Sequence, residues 1–406
     1  SINYTLGMYA IILLLLVSCS KSSSNMTGNN PPPANNGNNN DTGEAVSETR
    51  LTISKSIDLA APRAVLYADT VYTSATLGLS LFRPLPSGFE DKILSFRLPK
   101  GYMLVVAENS DGTGESETYV AVNGPINADL PDRLKNKISY IRYIPIDNPD
   151  KKGSAFTSLQ TVDSMASDWF YNWGLGATSS AQQQYVPMTW GKGACSNENV
   201  SVLAQKSGIT HLLSFNEPDN ADQSNIPNID TAVARYKIMQ KTGLRLGSPV
   251  TTQDQVMGDG RWLTRFMATA ATQKLRIDYI AVHWYDWGNQ TNNKATDSLT
   301  AEAVFNRFVT YLGKVHAAYP GKPLWITEFN ANVNRTSVVV HKYFMKLASD
   351  WLNNTDYVER YSYFFPNPVP AVNGDGSLTD AGAYWKSLPS SKAFHGNIVS
   401  ADTKLN

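Results

Sequence analysis

The sequence has little cysteine and no excess of either charge. Only two of its 406 residues are cysteine, and because Cys19 and Cys195 lie in regions of very different composition, we expect no disulfide framework. Lys and Arg number 35, as do Asp and Glu, and this balance argues against nucleic-acid or anionic-membrane partners, which attract basic proteins. No histidines and cysteines share a metal-ligand spacing. We therefore expect neither a metal ion nor a cofactor in the functional site.

The apolar run near the N-terminus is too short to cross a bilayer. It covers residues 10–17, whereas a membrane-spanning helix needs about 20 apolar residues. The run ends in L-V-S-C at residues 16–19, which resembles a bacterial lipobox. Residues 1–19 are therefore predicted to be a lipoprotein-type signal peptide, with lipidation of Cys19. The alternative is an ordinary signal peptide with a chance cysteine.

Residues 20–48 consist largely of Ser, Asn, Gly and Pro. They offer almost nothing apolar to bury and are predicted to be a disordered tether. An anchor followed by a tether predicts that the protein is held at a bacterial cell envelope, on the outer membrane or cell surface. The alternative is that it is secreted. The membrane is then a partner only through the lipid anchor, and we expect a monomer.

Residues 49–147 change character, with short β-rich runs separated by turn signals. An internal repeat runs through them, because DKILSFR at 91–97 recurs as NKISYIR at 136–142. Two such units predict paired Greek keys packed as an all-β sandwich.

This region resembles a βγ-crystallin domain, whose calcium motif combines two Asn or Asp with two hydroxyl residues. Each copy of the repeat keeps one of each kind, Asp91 and Ser95 in the first and Asn136 and Ser139 in the second. Calcium takes several hard oxygen ligands. A purely structural sandwich is therefore favoured, and a structural calcium ion stays the alternative.

Residues 151–396 alternate between strand and helix patterns. Strands are predicted at 153–156, 168–173, 185–190, 211–216, 244–248, 279–284, 324–328 and 360–365. Eight strands in a segment of this length predict an α/β fold of the (β/α)₈ TIM-barrel type. The whole chain is then a barrel domain preceded by the all-β Greek-key sandwich.

Two glutamates stand where such a barrel carries its chemistry, at the C-terminal ends of strands. Glu217 follows the fourth predicted strand and Glu328 ends the seventh. These strands lie nearly opposite each other in an eight-stranded barrel, so the two carboxylates should face each other across its mouth. Cleavage of a glycosidic bond needs two such groups, and in the retaining form they stand about 5–5.5 Å apart.

The surrounding motifs resemble glycoside hydrolase family 128, a glycosyl hydrolase catalytic core in the TIM-barrel clan of retaining enzymes. The matching segments are SFNEPD at 214–219, HWY at 283–285 and WITEF at 325–329. The resemblance implies endo-acting cleavage of β-1,3-glucan by double displacement. Glu328 would be the nucleophile, and Glu217 the general acid/base with a raised pKa.

The same resemblance implies a set of substrate-binding residues. Asn216 would bond the sugar 2-hydroxyl, and His283 and Tyr285 would hold the nucleophile or contact substrate, although His283 could equally be a buried structural histidine. Flat aromatic rings suit the apolar faces of sugars. Trp325, at odd spacing from Glu328, is predicted to pack against helices instead. The further candidates are Asn172, Trp173, Trp190 and Trp284.

Two rival functions remain open from the sequence. One is a non-catalytic carbohydrate-binding surface lipoprotein that shares the fold. The other is the same mechanism applied to another β-glycan, such as a β-1,4-linked glucan or a mannan, because linkage preference depends on loop shape. All three functions have a polysaccharide as the partner.

Overall fold

The computed structural model describes residues 56–58, 63–68, 71–76, 81–84, 90–287 and 295–406. The predicted signal peptide with Cys19 and the predicted tether at 20–48 lie outside these residues. All described residues belong to one compact unit, Ser47–Asn406. Within the described ranges, no helix combines the length and the apolar character needed to span a bilayer.

The first part of the unit is built from short strands in two sheets. The strands are β1 (Ser56–Asp58), β2 (Arg63–Ala68), β3 (Val71–Thr76), β4 (Leu81–Pro84), β5 (Ser95–Leu98), β6 (Tyr102–Ala107), β7 (Ser116–Ala121), β8 (Ile126–Asp129) and β9 (Tyr140–Pro145). One sheet has the order β8-β5-β1-β2-β3, and the other has the order β4-β9-β6-β7. The proposed Greek-key sandwich and the crystallin resemblance stay predictions, because much of 49–89 lies outside the described residues.

The internal repeat is visible in the backbone. Asp91 and Asn136, which begin the two copies, both take left-handed conformations, with φ of 57° and 55°. The N–H of Asp91 donates to the carbonyl of Ile138 at 3.1 Å, and the N–H of Asn136 donates to that of Ile93 at 2.9 Å. The two turns therefore bind each other by a reciprocal pair of hydrogen bonds.

The polar side chains of the two turns also approach each other. The Asp91 carboxylate lies 3.4 Å from the Ser139 hydroxyl. No group of three or more His, Cys, Asp or Glu residues that could hold a metal ion occurs in the described ranges. Calcium also takes amide, hydroxyl and carbonyl oxygens, so a structural calcium ion at these turns stays a prediction.

The second part of the unit alternates parallel strands with helices. The strands are β10 (Lys152–Ala155), β11 (Trp169–Tyr171), β12 (Gln184–Tyr185), β13 (His211–Leu212), β14 (Arg245–Leu246), β15 (Ile280–Tyr285), β16 (Leu324–Asn330) and β17 (Val358–Tyr363). The helices are α1 (Leu159–Met165), α2 (Asn197–Gln205), α3 (Ile229–Gln240), α4 (Trp262–Thr272), α5 (Ser298–Ala318), α6 (Val338–Asn353) and α7 (Asp380–Ser387).

Six of these strands form one parallel sheet, in the order β12-β11-β10-β17-β16-β15. The other two, β13 and β14, pair in parallel with each other. Parallel bridges join them to the ends of the six-stranded sheet, Met188 with Leu213 on one side and Gly247 with Tyr279 on the other. The fold is mixed α/β, and each of its eight parallel strands has a neighbour on both sides.

Strand β16 contains an irregularity that matters for the site. Its register against β15 shifts so that Val282 pairs with Ile326 and the next residue, His283, pairs with Glu328, leaving Thr327 unpaired. The Thr327 carbonyl accepts hydrogen bonds from the hydroxyls of Tyr171 at 2.9 Å and Ser362 at 2.5 Å. These bonds hold the bulge, which bends the strand and re-aims its side chains.

The bulge also explains why the prediction for Trp325 is wrong. Its ring is fully buried and packs against Trp169 of β11 and Tyr279, directly before β15, with ring centroids 5.4 Å and 4.2 Å away. Simple alternation would place Trp325 and Glu328 on opposite faces of the strand. One extra residue between them brings both to the same face.

One hydrophobic cluster spans both parts of the unit. Met103, Val105 and Val120 belong to the same buried cluster as the side chains of α3 and α4. The guanidinium of Arg142, fully buried, donates to the carbonyl of Thr242. The last strand, β18 (Lys404–Leu405), returns to pair antiparallel with β8.

Candidate active site

Glu217 lies in a strained turn just beyond β13. It is 6% exposed, and its φ is 42°, a conformation that non-glycine residues rarely adopt. Its backbone N–H donates to the carbonyl of Val250 at 2.6 Å, and Asn216 before it forms a parallel bridge with Val250. The turn is therefore held by the chain that follows β14, and it presents the Glu217 carboxylate at the carboxyl end of the strands.

His283 connects the two glutamates. Its Nδ1 lies 3.0 Å from Oε1 of Glu217, and its Nε2 lies 3.5 Å from Oε1 of Glu328. The imidazole is buried, and its Nε2 lacks a hydrogen-bond partner at ordinary distance. The β16 bulge creates this arrangement, because it places Glu328 directly opposite His283.

Two aromatic side chains orient the Glu328 carboxylate. The indole Nε1 of Trp173 donates to Oε1 at 2.9 Å, and the hydroxyl of Tyr285 donates to Oε2. Burial, followed by the charges of Glu328 and Glu217, raises the pKa of Tyr285 well above its usual range. Tyr285 therefore stays neutral and remains a donor at any physiological pH.

The electrostatics of Glu217 differ from the sequence expectation of a raised pKa. Burial does raise it, but the hydrogen bond and charge of His283 and a bond from Asn220 outweigh burial, so the pKa of Glu217 is lowered. The pKa of His283 is raised, because the attraction of Glu328 and Glu217 outweighs its own desolvation. The expectation considered burial and negative charge and missed the buried imidazole.

The remaining predicted residues are two tryptophans and two asparagines near the carboxyl ends of the strands. Trp173 and Trp190 are half-buried, and each packs against the cluster that contains Trp325. Asn216 donates from Nδ2 to Gln223, while its buried Oδ1 has no hydrogen-bond partner. Asn172 accepts from the Tyr185 hydroxyl at 3.0 Å, so its amide oxygen shapes the loop.

The prediction of a substrate contact for Trp284 is wrong. The ring is 4% exposed and packs against Phe308 of α5 and Phe344 of α6, with centroids 5.1 Å and 6.1 Å away. Trp284 lies between His283 and Tyr285 on β15, so alternation along the strand turns it toward the helices.

Sequence reasoning missed four residues beside the two glutamates. Phe364 is half-buried and meets the edges of both Trp173 and Tyr285, with centroids 6.0 Å and 6.1 Å away. Trp287 is 39% exposed, and its ring centroid lies 5.9 Å from that of Tyr285. The other two are Asn220, which bonds Glu217, and Gln223, which bonds Asn216. Asn220, Gln223 and Trp287 lie one to four residues beyond the ends of the motifs, and Phe364 lies within the strand predicted at 360–365.

A separate cavity of about 550 Å³ adjoins the site without containing its carboxylates. It lies between the segment Gln253–Gln255 and α5. Its wall is shared with the site through Gln253, whose Oε1 accepts from the backbone N–H of Tyr285 at 2.8 Å. The carboxylates of Glu217 and Glu328 themselves lie at the strand ends.

Comparisons with known proteins agree with this picture. A family described as the glycosyl hydrolase catalytic core matches residues 151–385. The protein is therefore a glycoside hydrolase. The chain belongs to the glycosyl hydrolase catalytic core family.

Solved structures of an Amycolatopsis mediterranei enzyme resemble the same part of the chain. This enzyme is an endo-β-1,3-glucanase of glycoside hydrolase family 128, subgroup I. A variant in complex with laminarihexaose shares 28% identity at a TM-score of 0.50, over 59% of this chain and 100% of that one. The complex with laminaritriose gives the same identity and TM-score, over 99% of that chain. Among curated proteins, none matches the sequence.

Proposed function

We propose that this protein is a retaining β-1,3-glucanase whose parallel strands form a (β/α)₈ TIM barrel. The observation that carries the proposal is the contact of one imidazole, His283, with both Glu217 and Glu328. It brings two buried carboxylates to a common centre, which is what double displacement requires. The likeness to an enzyme that was crystallised with laminarihexaose supports β-1,3-glucan as the substrate.

In the first step, Glu328 attacks the anomeric carbon while the glycosidic bond breaks. Trp173 and Tyr285 aim its carboxylate, since they donate to its two oxygens. The leaving oxygen takes a proton from Glu217. The bonded pair of Glu217 and His283 holds that proton between them, and the imidazole supplies it along the 3.0 Å hydrogen bond.

In the second step, the glycosyl–Glu328 ester is hydrolysed. Glu217, now ionised, takes a proton from water, and the water oxygen attacks the anomeric carbon as the bond to Glu328 breaks. The hydrogen bond that Asn220 donates to Glu217 suits this step, because it favours the carboxylate. The product keeps the β configuration, and the enzyme regains its proton.

The aromatic rings around the mouth support a chain-shaped substrate. Trp173, Trp190 and Phe364 are half-buried, and Trp287 is exposed. Such rings offer flat surfaces to the C–H faces of successive glucose units. We propose that cleavage is endo-acting and that the protein reaches its substrate from a lipid anchor at Cys19.

A polysaccharide panel tests the proposal. Laminarin, a β-1,4-glucan and a mannan are incubated with the purified protein, released oligosaccharides are analysed, and the anomer formed first is read by NMR. We expect a ladder of β-1,3-linked oligosaccharides with β-configured ends. Cleavage of another glycan alone would contradict the substrate, and an α-configured first product would contradict the mechanism. Binding to laminarin without hydrolysis would favour the non-catalytic alternative.

A further inference from the structure

The loop that follows Glu217 folds back onto the residues it follows. The N–H of Ser224 donates to the carbonyl of Asn216 at 3.2 Å, and the N–H of Ile226 donates to that of Pro218 at 2.7 Å. Within this loop, residues 217–226, the half-buried side chain of Asn220 points at the Glu217 carboxylate and donates from Nδ2 to Oε2 at 3.1 Å.

The orientation of the Asn220 amide follows from its second contact. Its Oδ1 accepts the backbone N–H of Asp222 at 3.0 Å. Because that contact requires an acceptor, the other end of the amide must be the NH₂ group. Asn220 therefore donates to Glu217, whose carboxylate accepts. Each oxygen of the carboxylate then has its own partner, His283 at Oε1 and Asn220 at Oε2.

We propose that Asn220 is a positioning residue that fixes the orientation of the Glu217 carboxylate and favours its ionised form. The inference rests on the proposed function, in which ionised Glu217 takes a proton from water in the second step. A donated hydrogen bond stabilises a carboxylate more than a carboxylic acid, so it opposes premature protonation at Oε2.

Other groups around Glu217 also affect its proton. His283 of β15 favours ionisation of Glu217. Asp219, on the same loop, and Tyr285 and Tyr171, on other strands, feel the charge of Glu217 through space. Glu328 faces it through the imidazole of His283. Asn220 is an uncharged amide, so its replacement changes one hydrogen bond to Glu217 without removing a charge from the site.

Two variants distinguish the hydrogen bond from Asn220 to Glu217 from the contact that Asn220 makes within the loop. Asn220→Ala removes both contacts of the amide. Asn220→Asp keeps an acceptor for the Asp222 N–H and replaces the donor to Glu217 with a second carboxylate. Ala221→Asp is the matched control, because it adds the same charge at an exposed neighbouring position.

The pH dependence of kcat/KM on laminarin is the first measurement. The profile should fall off on its acidic and on its basic side, and both of these limbs report protonation of the pair formed by Glu217 and His283. We expect both to move to higher pH, by at least about half a pH unit for Asn220→Ala and by more for Asn220→Asp, since lost donation and added negative charge each favour the protonated carboxyl. Ala221→Asp should leave the limbs nearly in place.

Unchanged limbs in both variants would overturn the inference, and so would a shift to lower pH. A change in KM alone, at a constant pH profile, would also overturn it, since that result means that Asn220 contacts only the substrate. A second readout does not depend on turnover. The protonated-carboxyl infrared band that disappears in Glu217→Gln should titrate at higher pH in Asn220→Ala than in wild type.

This second readout distinguishes the two failures. If the wild-type protein cleaves no β-glucan, the proposed function fails, while the infrared titration still decides whether Asn220 controls the proton of Glu217. If the protein cleaves laminarin and the band titrates at the same pH in both proteins, the role of Asn220 is refuted and the proposed function stands.

Discussion

The backbone N–H of Glu217 donates to the carbonyl of Val250 at 2.6 Å while Glu217 itself holds a φ of 42°. The site thus stores backbone strain in one of the two residues that we propose as catalytic. Strain of this kind costs about 1–3 kcal/mol and persists only where the surrounding structure imposes it. Here the bridge between Asn216 and Val250 imposes it, because it ties the turn to the neighbouring chain.

Glycine should relieve this strain. Glu217→Gly and Glu217→Ala both remove the carboxylate, but only glycine adopts a positive φ without steric cost. We expect Glu217→Gly to be more stable than Glu217→Ala by roughly 1 kcal/mol in urea unfolding. Equal stability of the two variants would mean that the turn relaxes when the side chain is lost.

Azide should distinguish the roles of the two glutamates. Glu217→Ala should still form the glycosyl–enzyme with an activated aryl β-glucoside, because a good leaving group needs little protonation. Azide should then restore turnover and give a β-glycosyl azide, identified by NMR. Glu328→Ala is the matched variant and should give no β-glycosyl azide. Formation of that product by Glu328→Ala, and not by Glu217→Ala, would show that the roles are reversed.

Trp287 should contribute to binding of long substrates. Its ring is 39% exposed beside Tyr285, and loss of a stacking surface costs about 0.5–1.5 kcal/mol. We expect Trp287→Ala to raise KM for laminarihexaose roughly two- to tenfold with little change in thermal stability. Leu299→Ala, at a residue that is 72% exposed on α5, is the control and should leave KM unchanged. An unchanged KM in Trp287→Ala would remove this residue from the substrate path.

Glu359 should be important for stability. It is 4% exposed, accepts from the buried Arg245 at 2.8 Å through Oε2, and accepts from Trp325 at 2.9 Å. Glu359→Gln leaves Arg245 buried without its counterion, which costs about 3–5 kcal/mol. Thermal or urea unfolding measures the loss. The control is Lys346→Ala, whose pair with Asp350 is 47% exposed on both sides, and it should change stability by about 0.5 kcal/mol or less.

Lipidation should depend on Cys19. The lipobox-like segment at 16–19 motivates this prediction. Metabolic labelling with a palmitate analogue in a bacterial host should mark the wild-type protein and fail to mark Cys19→Ser. Cys195→Ser controls for labelling at the other cysteine, which is buried. Equal labelling of wild type and Cys19→Ser would refute the anchor.

The sequence predicted most of the strand pattern of residues 151–396 because strand and helix periodicities alternate there. Glu217 and Glu328 could be placed at strand ends by the same reasoning, and the structure brings them to one imidazole. Trp284 and Trp325 were misassigned for different reasons. Alternation alone turns Trp284 away, while the bulge at Thr327 depends on bonds from Tyr171 and Ser362, which come from other strands and leave no local signal.

The lowered pKa of Glu217 could not be foreseen either. It depends on His283, 66 residues away in sequence, and on an amide whose orientation is fixed by a backbone contact inside the loop. Charge and burial at a site arise from several segments at once, so a motif indicates which groups are present but not their protonation.

The pairing of β18 with β8 has a consequence for the order of folding. Asn406 bonds Asp129 across 277 residues of sequence, at 3.0 Å. Contacts of such high sequence separation are slow to form, since loop-closure entropy must be overcome before they contribute. We expect the parallel strands, most of which have neighbours that are closer in sequence, to assemble before this edge is completed. The β8 edge then stays uncovered until late in folding, and an uncovered edge strand is where two unfinished copies of a chain can pair with each other.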